Sequence, residues 1–193
     1  MLKALPLLFV CSLASAATAR DALDWSVTVE GDGVYGAGVL IDPPHGLVMT
    51  CLHVVSEMKQ PRVSFADGAA FAATVIDRDR GLDVALLRVP PQRRAAPSLS
   101  DPDGPGEEIY AVGAPRHLAF TLSRGIVSFV GRLVDGVHWL QTDLPMNEGN
   151  SGGPVVNGRG QLLGLMSFVY RNGNGLSFAM PARAAVERFR RWM

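Results

Sequence analysis

Asn147 to Pro154 reads NEGNSGGP, a single serine set among three glycines and closed by a proline. A serine hydroxyl is a weak nucleophile: it needs a base nearby and donors to hold the negative charge that forms after attack. Glycines at 149, 152 and 153 address the second need. Gly149 can reach backbone angles closed to other residues, so its N–H can turn inward beside that of Ser151 and make an oxyanion hole. Taken alone, Gly149 to Gly153 fit a tight surface turn equally well. The same residues also satisfy G-x-S-x-G, the nucleophile elbow of α/β hydrolases.

Chain order separates these readings. The elbow fold places its histidine after the serine, whereas His45, His53, His117 and His138 all precede Ser151. The base must therefore lie upstream. His53 is the strongest candidate because GLVMTCLHVV is an apolar strand that ends just before it. His45 sits in a Pro-Pro-His-Gly turn, and His117 and His138 lie in or beside loops. Asp83 opens the apolar strand DVALLRV, where a half-buried acid must find a partner or lose its charge. Asp77 and Asp79 belong to the charged run DRDR and read as solvated. The order His53, Asp83, Ser151 is that of the serine proteases built from two barrels. Cys51 lies inside an apolar run and reads as a small buried residue rather than a nucleophile.

The elements that must position these residues are short strands. The chain has 193 residues, 48% hydrophobic, with 21 glycines and 13 prolines punctuating short apolar runs. Segment DWSVTVEG alternates, putting Trp25, Val27 and Val29 on one face, and Asp67-Gly68 marks a hairpin. Segment 90–106 is proline-rich and reads as a linker between two all-β halves, about 24–89 and 107–181. In PARAAVERFRRWM, Ala182, Ala185, Val186 and Phe189 form one apolar stripe, so 182–193 reads as a terminal helix packed on a barrel, in preference to one lying on a membrane. The fold class is all-β: two antiparallel barrels of the six-stranded type, then a C-terminal helix. Eighteen basic residues offset 18 acidic ones, so no net field favours nucleic acid or acidic lipid.

The first 19 residues form a separate unit. Lys3, the apolar run from Leu5 to Leu13 and the sites Ala14-Ser15-Ala16 and Ala17-Thr18-Ala19 make up the three parts of a secretory signal. Cleavage is expected after Ala19, with Ala16 second, leaving residues 20–193 as an exported domain with no membrane-spanning segment. Cys11 departs with the signal, so Cys51 has no partner for an internal disulfide.

Together the segments YGAGVLID, VMTCLHVV, DRDRGLDVALLRV, AVGAPRHLAFTLSRGIVSFVGR, LQTDLPMNEGNSGGPVVNGRGQLLG and LSFAMP resemble, in order and spacing, a trypsin-like serine protease of the HtrA (Deg) type from bacterial envelopes. The resemblance implies His53 as general base, Asp83 as the residue fixing its tautomer and Ser151 as nucleophile. It implies an oxyanion hole from the Gly149 and Ser151 N–H groups, and Ser167 and Phe168 as backbone partners of an extended peptide. No metal or cofactor is implied, and the partners are polypeptide substrates. Pro145, Met166 and Leu176 are placed near the specificity pocket, which favours cleavage after Val, Ala or Leu over Lys or Arg.

Three departures qualify the resemblance. Cys51 and Leu52 stand where the family usually carries polar residues. Asn150 replaces the aspartate that pairs with a newly cut N-terminus in the pancreatic enzymes. The family often continues into a peptide-binding PDZ domain that these 193 residues lack, so its oligomeric state and stress-gated control are not carried over. A catalytically silent fold that grips extended peptides is the competing reading, and an esterase on the same fold is a third.

Overall fold

The computed structural model describes residues 18–170 and 175–193; most of the expected signal, residues 1–17, lies outside them. Two β-rich halves are joined by an irregular segment. In the first half, β1 (Ser26–Gly31), β2 (Val34–Asp42) and β3 (Leu47–Cys51) are followed by a helical turn, α1 (Leu52–Val55). Then come β4 (Arg62–Phe65), β5 (Ala70–Ala72), β6 (Thr74–Asp79) and β7 (Val84–Arg88). They form one curled antiparallel sheet in the order β5-β4-β1-β2-β3-β7-β6. The Asp67-Gly68 hairpin is present, with the Gly68 N–H donating to the Phe65 carbonyl at 3.0 Å and β4 pairing β5.

The second half is a closed six-stranded barrel. Strands β8 (Glu108–Gly113), β9 (Thr121–Val134), β10 (Val137–Thr142), β11 (Pro154–Asn157), β12 (Leu162–Val169) and β13 (Ser177–Pro181) close in the order β10-β13-β12-β11-β8-β9. The all-β architecture with a terminal helix is the one expected. The first half carries a seventh strand because AFAATVIDRD breaks at the buried Ala73, so one expected strand becomes the pair β5 and β6. The proline-rich connector is strapped to the second barrel: the Leu162 N–H donates to Ser98 O at 2.8 Å, and the Ser100 N–H to Leu162 O at 3.1 Å.

Two apolar clusters hold this arrangement. Ile109, Val127, Leu140, Leu144, Val155, Leu163 and Met166 fill the closed barrel. The larger cluster fills the first half and runs through Trp139, Leu165 and Phe178 to the terminal helix α2 (Ala182–Phe189). Ala182, Ala185 and Phe189 of the predicted stripe are all buried there, while Arg188 and Arg191 leave it on another side. Among the described residues, no helix is long and apolar enough to cross a membrane.

Candidate active site

His53 and Asp83 meet because β3 and β7 are neighbours. Cys51 pairs with Val84 at the end of that ladder, so the residues just past each strand face each other. His53 sits in α1, and its backbone N–H donates to Asp83 Oδ1 at 3.0 Å. The ring completes the pairing, with Nδ1 2.7 Å from Asp83 Oδ2. The Leu52 N–H fastens the Asp83 carbonyl at 3.0 Å. Asp83 itself has φ +52°, a left-handed conformation that costs a non-glycine residue about 1–3 kcal/mol and persists only when its surroundings fix it.

Ser151 arrives from the second barrel. The turn Asn147–Gly153 is closed by the Asn150 N–H on Asn147 O and the Gly153 N–H on Asn150 O, each at 3.0 Å. The Ala37 N–H of β2 donates to Ser151 O at 2.8 Å, which seats the turn against the first half. The glycines have steric reasons. A Cβ on Gly152 (φ +84°) would stand 2.2 Å from Ala37 O, and one on Gly149 (φ +98°) 2.1 Å from Ala114 O. Ser151 Oγ donates to Ser167 O at 3.3 Å. Among the described residues no hydrogen bond joins it to His53.

Ser167 connects the halves. It is buried in β12, and its hydroxyl donates to Asp83 Oδ2 at 2.8 Å, the oxygen that also faces the imidazole. Burial opposes ionisation of Asp83, but the His53 ring, the His53 N–H and the Ser167 hydroxyl outweigh it and hold the carboxyl below its usual range. Behind them lies Cys51. Burial first, then the Asp83 charge, push its thiol well up, and it donates to Met166 O at 3.2 Å. A neutral, occupied thiol is not a nucleophile. Donor atoms of Cys51, His53 and Asp83 lie within 4.8 Å of one another. The imidazole Nδ1 and the carboxylate are already committed to each other, so the trio does not read as a metal cage.

The loop after β8 braces the serine turn. The Ala114 N–H donates to Gly149 O at 3.2 Å and the Arg116 N–H to Glu148 O at 3.0 Å. Arg116, His117 and Phe120 all hold positive φ, so this loop is wound unusually tightly.

Known proteins are similar to this chain in sequence and fold. A family model for the trypsin-like peptidase domain matches residues 36–165. The periplasmic serine endoprotease DegP of Salmonella typhimurium is 38% identical over 157 residues, which is 76% of this chain and 33% of that protein. This chain belongs to the trypsin-like peptidases of the HtrA type. Serine endoprotease DegS of Escherichia coli is another HtrA-type relative, 31% identical over 79% of this chain and 46% of its own. The crystal structure of the serine endoprotease from Yersinia pestis superposes with a TM-score of 0.83 at 29% identity, covering 90% of this chain and 64% of that one. The chain spans about a third of the length of the DegP relatives it matches.

Within this HtrA-type domain two expectations need correction. Met166 does not line a pocket: it is fully buried in the closed barrel. The cavity beside the serine turn, of about 240 Å³, is lined by Leu144, Pro145, Met146, Asn147, Val169 and Ser177, and also by Asp143. One oxygen of Asp143 is taken by the Ile126 N–H at 2.6 Å. Asp77 is also not solvated. Its side chain is 10% exposed and receives Arg188, Arg191 and Trp192 from the C-terminal segment. Periodicity carries only part of the signal: it puts Asp77 and Asp79 on one face of β6, and Arg188 and Arg191 three apart at the chain's helical end, but not the two faces together.

Proposed function

We propose that this domain is a serine endopeptidase that hydrolyses peptide bonds through an acyl-enzyme, with His53, Asp83 and Ser151 as the triad. The observation that carries the reading is the convergence on Asp83 of the His53 ring and the Ser167 hydroxyl, beside a serine whose own Oγ donates to that same Ser167. Asp83 fixes the tautomer of His53 with Nδ1 protonated, leaving Nε2 free to take a proton. Rotation of Ser151 Oγ about its side-chain bond, from Ser167 O towards Nε2, prepares the attack. The hydroxyl proton passes to Nε2 as Oγ bonds to the scissile carbonyl carbon. His53 then returns it to the departing amine, and water repeats the sequence to release the acid.

Gly149 and Ser151 N–H groups serve as the oxyanion hole. The peptide between Glu148 and Gly149 is trans, and its carbonyl receives the Arg116 N–H, so the Gly149 N–H is directed the opposite way. An extended peptide is placed along Ser167 and Phe168 at the edge of the cleft. The side chains of Pro145, Met146 and Val169 beside the turn favour a small or medium aliphatic residue before the cut.

The relatives DegP and DegQ carry the word periplasmic in their names, and the signal-like N-terminus supports export of this chain too. Ala19 is packed in the core at 8% exposure, which favours processing after Ala16 over processing after Ala19. Mass spectrometry of exported protein should find Ala17 first; Arg20 first would reverse that choice.

Digestion of an unfolded polypeptide tests the endopeptidase reading. Wild-type protein should generate internal cuts, mostly after Val, Ala or Leu, and Ser151→Ala should generate none. Capture of the polypeptide without cuts by both proteins would establish a binding module instead, and cleavage of small esters alone an esterase.

A further inference from the structure

Asp79 ends β6, four residues before Asp83, and its carboxylate works in two directions. Oδ1 accepts the Leu82 N–H at 3.0 Å, closing the turn that delivers Asp83. Oδ2 accepts Nε of Arg188 at 2.6 Å, from the terminal helix on the other side of the molecule's chain order. The same guanidinium donates to Arg78 O at 3.1 Å and approaches Asp77 at 3.4 Å. Of the two β6 carboxylates, Arg191 and Trp192 hydrogen-bond Asp77, at 2.7 and 2.8 Å, and not Asp79. Three groups of the C-terminal segment thus bind β6, but just one of them reaches the carboxylate that caps the Asp83 turn.

We infer that Arg188 is a positioning residue for catalysis: through Asp79 it holds the turn that presents Asp83 to His53. Asp83 keeps its left-handed backbone only while its neighbours over-determine it. After Asp83, the β7 ladder supplies that restraint. On its other flank the turn is held by the Asp79 carboxylate, and Arg188 anchors that carboxylate to α2. Without the guanidinium, the Asp79 carboxylate can leave Leu82 for water, and the turn before Asp83 keeps only the Asp79–Val84 pairing of the β6–β7 ladder to hold it. Charged groups facing Asp79 are Arg188 from α2 and Asp77 along β6, with Arg191 compensating Asp77.

The kinetic half of this inference rests on the proposed proteolytic function, so the test includes a readout that does not. The Nδ1 proton of His53, shared with Asp83 at 2.7 Å, should give a far-downfield proton resonance whether or not the protein cleaves anything. Arg191→Ala should lower the melting temperature while leaving that resonance and kcat for a chromogenic peptide unchanged. Arg188→Ala should shift or broaden the resonance and lower kcat roughly tenfold, with KM changed by less than about twofold, because the loss is one of alignment. Arg188→Lys, which keeps a cation on Asp79, should recover part of both.

An unchanged resonance and kcat in folded Arg188→Ala would overturn the inference, as would equal losses in Arg191→Ala. If Arg188→Ala does not fold, Asp79→Asn retains an acceptor for Leu82 but weakens the link to Arg188. It should reproduce the same losses, and wild-type values there would overturn the inference. A wild-type resonance that responds to Arg188→Ala in a protein that cleaves nothing would sink the proteolytic reading and leave the positioning role standing.

Discussion

The hydroxyl of Ser167 donates to Asp83 Oδ2 at 2.8 Å, across the boundary between the two halves. That one oxygen also faces the His53 ring, so the second barrel helps orient the proposed catalytic pair, which belongs to the first half. A hydrogen bond to a charged acceptor is worth about 1.5–3 kcal/mol. Ser167→Ala should therefore lower kcat/KM by roughly tenfold or more, with the protein still folded. Asp83→Asn, which upsets the tautomer, should cost on the order of 10⁴ in kcat. Chromogenic peptide assays on both variants read the two losses, and a smaller effect for Asp83→Asn than for Ser167→Ala would contradict the assignment.

Gly149→Ala tests the proposed oxyanion hole. The added Cβ would meet Ala114 O at 2.1 Å at a residue with φ +98°, so the turn must shift. The change should cost roughly 10²–10³ in kcat, the scale of losing one oxyanion donor. Circular dichroism should remain that of a folded domain. Full activity would contradict the claim that the position of this turn, set by the close approach of Gly149 to Ala114 O, matters for catalysis.

Acid should weaken the fold, and the sign follows from the carboxylates. Asp77, Asp79 and Asp83 all have their carboxyls lowered in the folded chain. In each, burial opposes the charge and is outweighed, by Trp192 and two arginines at Asp77, by Leu82 and Arg188 at Asp79, and by His53 at Asp83. A group with a depressed folded value binds fewer protons folded than unfolded. Its contribution is therefore present above the unfolded value of about 3.9 and is lost as pH falls through the folded one. Melting of the Ser151→Ala protein should change little between neutral pH and about pH 5, then fall steeply below about pH 4. Asp77→Asn should flatten that fall; an unaltered acid limb would show that this cluster is not its source.

Much of the site was legible in the sequence because it is written in chain order and in strand ends. His53 follows an apolar strand and Asp83 precedes one, and neighbouring strands bring those ends together without further information. The glycines around Ser151 likewise announce backbone that must approach other backbone closely. What could not be read is side-chain traffic between distant segments. Nothing local in DRDR says that Asp77 is covered by Arg188, Arg191 and Trp192, more than a hundred residues later. A charge run reads as solvated until the helix that covers it is placed. The position of Met166 departs from expectation for a similar reason. In an apolar strand such as LLGLMSFV, periodicity alone does not say which face lines a cavity and which fills the barrel.

The central claim is that His53 and Asp83 activate Ser151 as a nucleophile. Labelling with a fluorophosphonate, followed by mapping of the modified residue, tests it most directly. One phosphonyl group should appear on Ser151, labelling should vanish in Ser151→Ala, and His53→Ala should slow it severely. A folded wild-type protein that takes up no label, or takes it up equally well without His53, would contradict the account.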